Sequence, residues 1–449
     1  MVSGGQGFRS LRARLISGGV WTFSGRVLTV VSGFAVNALI ARMVSAEEVG
    51  AYFLLISVIS VGVLIASLGL QVAVVRLVAQ AMATQMSGVA RATVIVVLRT
   101  GAVSAVIGSL VIGLSGDIIA YHVFNAPQMV GVIWFAAALM LVRVPLGLLA
   151  ESFRGFHAFG MAALFSNNTI TNVLMVILLA ATMFIGMDSD LEKVLIISVI
   201  SAVVSVLLAA VSMRKRLQGL NDTEYVPMKS VLDAGLPLML SGVAVFVLTQ
   251  ADIWIIGMFT STQEVAVYGA AIRMSQLIFM PLLIGNTMLA PFIAELYTQG
   301  KLEKLESIIR SASTVSAVFA LFMLVVFVAA GDSILALAFG EHYRSAYHLL
   351  VIISAGQCLN VWCGAGFVTL INTGNQKLVM YISFAFGGLM IAGSLMMVGP
   401  LGVSGVALMM AFVVGSQAIF TMYVVKRKVG LWTHAGIQYF SLIASRITR

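Results

Sequence analysis

Charged residues are scarce in this chain of 449 residues, of which only 10% are Asp, Glu, Lys or Arg. A water-soluble domain carries about 25% charged residues, so the composition excludes a protein that folds in water alone. Hydrophobic residues make up 60% of the chain, and continuous apolar runs recur along its whole length. Each run is long enough to cross the ~30 Å hydrocarbon core of a membrane as a helix. We therefore expect an all-α, polytopic membrane protein.

Cysteine and histidine are also rare, with two and five residues respectively. Cys358 and Cys363 lie in one apolar run at a spacing that places them on different helix faces, so the sequence suggests neither a disulfide nor a metal site. No two histidines have the spacing of metal ligands, and the phosphate-binding pattern G-x-x-x-x-G-K-[ST] is missing. The longest outside loops, near 115–127 and 332–346, are too short for a catalytic domain. We therefore expect no cofactor, no metal and no enzymatic activity.

The apolar runs predict about twelve transmembrane helices, divided by a long polar break between the sixth and the seventh. The predicted spans are 18–41, 50–75, 92–114, 128–150, 161–185, 194–212, 235–259, 267–291, 312–331, 347–371, 379–398 and 404–425. The corresponding domains are a basic arm (1–17), a six-helix bundle (18–212), a cytoplasmic linker (213–234), a second six-helix bundle (235–425) and a tail (426–449).

Lysine and arginine are distributed asymmetrically about these spans. With both termini in the cytoplasm, the inside segments hold nineteen of the 26 Lys and Arg residues and the outside loops hold three, which are Arg42, Lys193 and Arg344. Cytoplasmic loops of membrane proteins carry such an excess of positive charge. The pattern predicts cytoplasmic termini in a plasma membrane, and it explains the net charge of +9 without a nucleic-acid partner.

Two short motifs occur once in each half. The sequence "SAEEVGAY" (45–52) shares Ser, Glu, Val and Tyr with "STQEVAVY" (261–268), and "GDIIAYHVF" (116–124) shares G-D-x-I and a later Phe with "GDSILALAF" (331–339). Both matches connect equivalent spans on the predicted outside face. Because six spans return the chain to the same side, we expect a parallel repeat with a pseudo-two-fold axis along the membrane normal.

The first pair of motifs also has a local interpretation. Ser45 and Glu48, and likewise Ser261 and Glu264, have the spacing of a capping box, in which the serine side chain and the glutamate side chain satisfy each other's backbone N–H groups. The tyrosines at the end of each motif are expected to be interfacial aromatic residues. The motifs therefore predict the starts of two helices and a structural role.

Ionisable residues inside the predicted spans are costly in hydrocarbon and are candidates for function. Arg26, Arg99 and Arg143 are expected at one depth in the N-terminal half, where they could line an anion-binding cavity or extend to the lipid head groups. Arg273 is a further candidate for substrate binding, with the same alternative. Asp252 could bind a coupling proton or cation, or could form an ion pair with Arg273 or Arg26.

Amides within the spans could bind sugar hydroxyls or form hydrogen bonds between helices. These residues are Asn167, Asn168, Asn172, Gln250, Asn286, Gln357 and Asn360.

Several stretches resemble the bacterial polysaccharide transporters, the O-antigen-type oligosaccharide flippases of the multidrug/oligosaccharidyl-lipid/polysaccharide exporter superfamily. They are "LIARMVSAEEVGAYFLLISVISVGVLIASLGLQVAVVRLVA", "LAFGEHYRSAYHLL", "TLINTGNQK" and "GPLGVSGVALMMAF". The resemblance covers residues 18–425, and each of its motifs is loose.

The resemblance implies two pseudo-symmetric six-helix bundles in a V shape that work by alternating access in the bacterial inner membrane. It implies as substrate an undecaprenyl-diphosphate-linked oligosaccharide, with membrane lipids, a glycan polymerase and other polysaccharide-assembly proteins as partners. A cation-coupled exporter of small molecules from the same superfamily is the alternative. That branch typically has acidic residues in the spans of both halves, and the predicted N-terminal spans contain none.

Overall fold

The structure is a computed structural model that describes residues 4–220, 224–436 and 438. These residues are helical almost throughout, and no strand occurs among them. Helices are the expected form, because a helix satisfies its backbone hydrogen bonds internally where the membrane offers no water. The α-helices are α1 (Gly4–Met43), α2 (Ala46–Ala66), α3 (Leu70–Ala83), α4 (Ser87–Leu114), α5 (Ile133–Gly155), α6 (Phe159–Phe165), α7 (Thr169–Ile185), α8 (Leu191–Gln218), α9 (Met228–Phe259), α10 (Thr262–Thr298), α11 (Leu302–Phe339), α12 (Tyr347–Cys363), α13 (Gly366–Asn372) and α14 (Gln376–Val429).

Ten helical segments of the described chain are long and apolar enough to cross a membrane. Helix α14 is counted as one of these ten segments. Its 54 residues contain both of the last two predicted spans, and its backbone leaves the helical conformation at Gly402, where φ is 57°. The seventh predicted span corresponds to α9, which is not among the ten. With α9 included and α14 taken as two, the described helices account for all twelve predicted spans, and the expected all-α polytopic fold is confirmed.

The predicted borders of the linker and the tail differ from the helix ends. Helix α8 extends to Gln218 and α9 begins at Met228, so helix covers both ends of the predicted linker. Residues 221–223 lie outside the described residues. Helix α14 extends to Val429 and so enters the predicted tail. Residues 437 and 439–449 of the tail, and residues 1–3 of the predicted arm, lie outside the described residues.

Two compact units make up the chain. The first unit contains Met1–Val44 and Leu55–Val243, and the second contains Ser45–Leu54 and Ala244–Arg449. In the first unit α5 packs against α3, α4, α6 and α8, while α1 packs against α6 and α7. In the second unit α12 packs against α10, α11 and α14. The domain borders predicted from the sequence were placed at the polar linker, residues 213–234. They divide the chain into two repeated six-helix bundles, and this division remains a prediction.

Both predicted capping boxes are present. The Ser45 and Ser261 backbone N–H groups donate to Glu48 and Glu264 at 2.9 and 3.2 Å, and each glutamate N–H donates back to its serine Oγ at 3.3 Å. These bonds satisfy backbone donors that would otherwise lack partners at a helix start.

The two motifs contact each other within the second unit. The Gln263 side chain donates to Glu47 Oε1 at 2.9 Å. A Cβ atom on Gly50 would overlap the backbone carbonyl of Thr262, so only glycine allows this approach. The tyrosines of the motifs, Tyr52 and Tyr268, are buried, which corrects the expectation that they face the membrane interface.

The second pair of motifs has matching buried positions. Gly116, Ala120 and Phe124 are buried in the first unit, as are Gly331, Leu335 and Phe339 at the same offsets in the second. A short 3₁₀ segment then leads into the next helix in both units, Pro127–Val132 before α5 and Glu341–Ala346 before α12. The segments predicted as outside loops are therefore largely helical.

The kink between α2 and α3 depends on a glycine. Gly69 has a φ of 69°, a conformation that residues with a side chain rarely adopt. A Cβ atom there would also overlap the carbonyl of Gly235 on α9. The predicted second span is thus two helices joined at this kink.

Replacing Ser261 with Ala should lower the stability of the protein by about 1 kcal/mol, because α10 loses its N-cap. Thermal unfolding of the detergent-solubilised protein measures the effect. The matched control is Ser416→Ala, at a half-buried serine inside α14 whose hydroxyl bonds to carbonyls of its own helix. Equal melting temperatures for the two variants would contradict the role of the cap.

Candidate functional site

Arg26 lies in α1 of the first unit, where it is half-buried. Its Nε atom is buried and has no hydrogen-bond partner among the described residues. The positive charge of Arg154, in the last turn of α5, repels the Arg26 guanidinium electrostatically. A hydrogen bond between Thr29 and Thr169 fixes this part of α1 against α7. Buried polar atoms are normally satisfied, so this position is favourable for an anion.

One carboxylate accompanies these two arginines. Arg154 Nη1 lies 3.0 Å from Glu151 Oε2, and Glu151 is the less exposed partner of this ion pair. Nearby, Arg216 donates to the carbonyl of Phe156 at 3.0 Å and lies 5.2 Å from the centre of its ring. We call Arg26, Glu151 and Arg154 the Arg26 cluster, and its net charge is positive.

Glu151 and Arg154 were not among the predicted site residues, because the fourth predicted span ended at residue 150. Helix α5 continues to Gly155, so Glu151 lies inside a candidate membrane-spanning segment. The statement that the N-terminal spans contain no acid is therefore wrong. The i, i+3 spacing of Glu151 and Arg154 was the signal that could have identified the pair.

Arg99 and Arg143 do not share one depth, contrary to expectation. Helices α4 and α5 pack antiparallel, with Gly101 against Leu148. In this register the two arginines are separated by roughly 10 Å along the helices, at ~1.5 Å per residue. Arg99 and Arg143 therefore lie at different positions along the helices of the first unit.

The surroundings of the two arginines also differ. Arg143 is half-buried, whereas Arg99 is exposed. Arg99 lies on the same face of α4 as the exposed Val103 and Val106, which are four and seven residues further along the helix. An exposed apolar face is typical of contact with lipid, so Arg99 is in a suitable place for its side chain to extend to the head groups.

Asp252 lies in α9 and is buried, with 4% of its surface exposed. The hydroxyl of Tyr268 donates to its Oδ2 at 2.7 Å, and Tyr268 itself has no exposed surface. Arg273 interacts with this carboxylate electrostatically. The hydrogen-bond partner of Asp252 is therefore the tyrosine of the second motif, a partner that the sequence analysis did not consider.

Arg273 is held by an aromatic ring and by its own helix. Its Cζ atom lies 3.5 Å from the centre of the Phe53 ring, and its Nη1 donates to the carbonyl of Gly269 at 3.1 Å. A guanidinium over an aromatic face is attracted by the ring's negative quadrupole. Tyr52 and Tyr343 also interact with it electrostatically. We call Phe53, Asp252, Tyr268, Arg273 and Tyr343 the Asp252 cluster.

Two of the predicted polar amides have a backbone role. Asn167 and Asn168 have φ values of 51° and 59°, and asparagine tolerates this left-handed region better than most residues. They form the kink between α6 and α7, and Asn172 lies close to Gly33 of α1.

The part of the chain that the structure describes contains no group of three or more His, Cys, Asp or Glu residues that could hold a metal ion.

Comparison with known families identifies the chain. The family of polysaccharide biosynthesis proteins matches residues 15–297, and the MatE family matches residues 237–396. The first match covers more than half of the chain, which therefore belongs to the polysaccharide biosynthesis protein family. A comparison with curated proteins finds no match.

Solved structures confirm the fold. An inward-facing multidrug resistance MATE family transporter of the MOP superfamily aligns with a TM-score of 0.74 and 15% identity, over 92% of this chain and 98% of that one. A MOP superfamily transporter from Pyrococcus furiosus, whose binding pocket is described as having reverse polarity, aligns with a TM-score of 0.66 and 15% identity, over 93% and 95% of the two chains. The protein is thus a multi-pass membrane protein with the fold of MOP-superfamily transporters.

Replacing Tyr268 with Phe should destabilise the protein by about 1.5–3 kcal/mol, because a buried carboxylate loses a donor. Tyr343→Phe is the matched control, since the buried Tyr343 hydroxyl has no hydrogen-bond partner among the described residues. Thermal unfolding in detergent compares the two variants. The double variant Asp252→Asn/Tyr268→Phe should recover part of the loss, and equal melting temperatures for both single variants would disprove the assignment.

Proposed function

We propose that the protein is a flippase that moves an undecaprenyl-diphosphate-linked oligosaccharide across the bacterial inner membrane by alternating access. The family match supports a role in polysaccharide biosynthesis. The observation that carries the proposal is the positive Arg26 cluster, in which a buried guanidinium nitrogen has no hydrogen-bond partner within the described chain. A diphosphate supplies the missing acceptor.

The chemistry of arginine suits this substrate. Its planar guanidinium forms two parallel hydrogen bonds to phosphate oxygens and keeps its charge at physiological pH. In the proposed cycle Arg26 binds the diphosphate, with Arg154 adding positive charge, and the polyprenyl chain stays in the bilayer. Arg143 and Arg273 remain candidates for contacts with the substrate, whereas the position of Arg99 favours contact with lipid head groups. The excess of Lys and Arg in the predicted inside segments favours cytoplasmic termini, and a glycan polymerase is the expected partner on the other side of the membrane.

A second candidate function is cation-coupled export of small molecules. The MatE match over residues 237–396 and the multidrug transporters among the structural neighbours favour it. In that case Asp252 alternates between two partners. It binds the coupling proton or cation in one state and accepts the hydrogen bond from Tyr268 in the other. Deletion of the gene would then change drug sensitivity and leave the surface polysaccharide intact.

Arg26→Ala should reduce surface glycan roughly tenfold or more in a deletion strain complemented with the variant, because a hydrogen-bonded charge contact contributes about 1.5–3 kcal/mol. Surface glycan is measured by immunoblotting and compared with the amount of protein in the membrane. Lipid-linked precursor should accumulate on the cytoplasmic side.

The matched control is Arg42→Ala, which removes an exposed arginine from the other end of the same helix. It lies sixteen residues from Arg26, or roughly 24 Å along α1. Arg26→Lys keeps the charge without the bidentate geometry and should retain an intermediate amount of glycan. Normal surface glycan in Arg26→Ala, with normal amounts of protein, would exclude Arg26 as the diphosphate site.

A further inference from the structure

A groove runs along the first unit between α4 and α8. Helix α5 packs against both of these helices and forms the floor of the groove with Pro145 and Leu149. The groove has a volume of about 590 Å³. It is separate from the Arg26 cluster, none of whose residues lines it.

The groove is apolar along most of its length and cationic at one end. Its walls include Ile95, Leu98 and Ala102 of α4 and Val206 and Ala210 of α8. Its polar end is formed by Arg91 near the start of α4 and by Arg214 and Gln218 near the end of α8. The wall residues therefore suit a hydrocarbon chain, and the two arginines suit an anionic group attached to it.

The two helices that form the walls of the groove also carry exposed apolar side chains. These are Val103 and Val106 on α4 and Leu207 and Val211 on α8. Large exposed apolar surfaces on a membrane protein face the acyl chains of the bilayer. The groove is thus open to lipid, and its occupant enters from the membrane.

The length of the groove distinguishes between possible occupants. From Arg91 to Ala102 the α4 wall extends roughly 16 Å, at ~1.5 Å per residue. Half of the ~30 Å hydrocarbon core is about 15 Å, so the groove has the length of one leaflet. An acyl chain of a phospholipid fills this length, whereas a polyprenyl chain of 55 carbon atoms exceeds it.

We propose that this groove is a binding site for an anionic phospholipid, whose acyl chain lies against α5 and whose phosphate binds Arg91 and Arg214. The site is distinct from the proposed transport site and does not depend on the transported substrate. An arginine fork binds phosphate oxygens bidentately. Because the two arginines also repel a cationic group such as choline, the site prefers a head group whose net charge is negative.

Native mass spectrometry of the full-length protein in detergent tests the proposal. Phosphatidylglycerol and phosphatidylcholine with identical acyl chains are added separately, and the retained lipid is counted. We expect phosphatidylglycerol to be retained several-fold more than phosphatidylcholine. Arg91→Ala and Arg214→Ala should each reduce its retention several-fold, and Ala210→Trp should reduce the retention of both lipids by filling the groove.

Two variants serve as matched controls. Lys215→Ala removes one positive charge next to Arg214, and Ile177→Trp adds the same bulk at an exposed position of α7, yet neither residue lines the groove. Both should retain phosphatidylglycerol like the unaltered protein. Thermal unfolding identifies any variant that fails to fold. If Ala210→Trp fails to fold, Ala102→Leu on the opposite wall of the groove is used in its place.

Three outcomes would overturn the proposal. Equal loss of phosphatidylglycerol in Lys215→Ala would show unspecific charge attraction, and unchanged retention in both arginine variants would exclude the phosphate contact. Displacement of phosphatidylglycerol by equimolar undecaprenyl phosphate would assign the groove to the polyprenyl chain of a substrate. Because the measurement counts bound lipid and not transport, these results are independent of whether the protein is a flippase.

Discussion

The contact between the two capped helix starts positions the buried polar residues of the second unit. Gly50 allows α2 to approach the first turn of α10, and the hydrogen bond from Gln263 to Glu47 joins the two ends. One turn further along α2, Phe53 receives the guanidinium of Arg273, and Tyr268 of α10 donates to Asp252 of α9. Residues Ser45–Leu54 therefore belong to the second unit although they precede most of the first in sequence. A motif that repeats after 216 residues is thus also a site of tertiary contact.

Local chemistry made the helix starts and the helix content predictable. A long, continuous apolar run satisfies its own backbone hydrogen bonds in a membrane as a helix, and the capping box depends on residues three positions apart. The positions of Tyr52 and Tyr268 could not be predicted in the same way. An aromatic residue one or two turns into a helix can face the head groups or the protein interior, and the choice depends on neighbours far away in sequence. Here the neighbours are Arg273 and Asp252, and both tyrosines are buried.

The errors at the candidate site have similar causes. A span border placed at residue 150 excluded Glu151 by one position, although α5 carries on to Gly155. Counting residues from such span borders predicted that Arg99 and Arg143 lie at the same depth in the membrane. The packing of Gly101 against Leu148 instead separates them along the helices. Asn167 and Asn168 were considered as hydrogen-bonding residues, but their backbone conformation explains their identity. Packing register and backbone dihedral angles are tertiary properties, which residue type and spacing determine only weakly.

The two ionisable clusters differ in how their charges are satisfied, and this difference bears on the choice between functions. In the second unit the acid Asp252 has a hydroxyl donor and a nearby cation, so its charge is compensated within the fold. In the first unit Glu151 compensates Arg154, and Arg26 is left with a buried nitrogen that bonds to nothing in the described chain. The acid in α5 removes the sequence-based objection to a cation-coupled exporter of small molecules. However, its pairing with Arg154 means that it offers no free negative charge to a coupling cation, and the remaining charge of the cluster is positive. A net positive, partly desolvated cluster attracts anions, which supports an anionic substrate such as a lipid diphosphate over a cationic one.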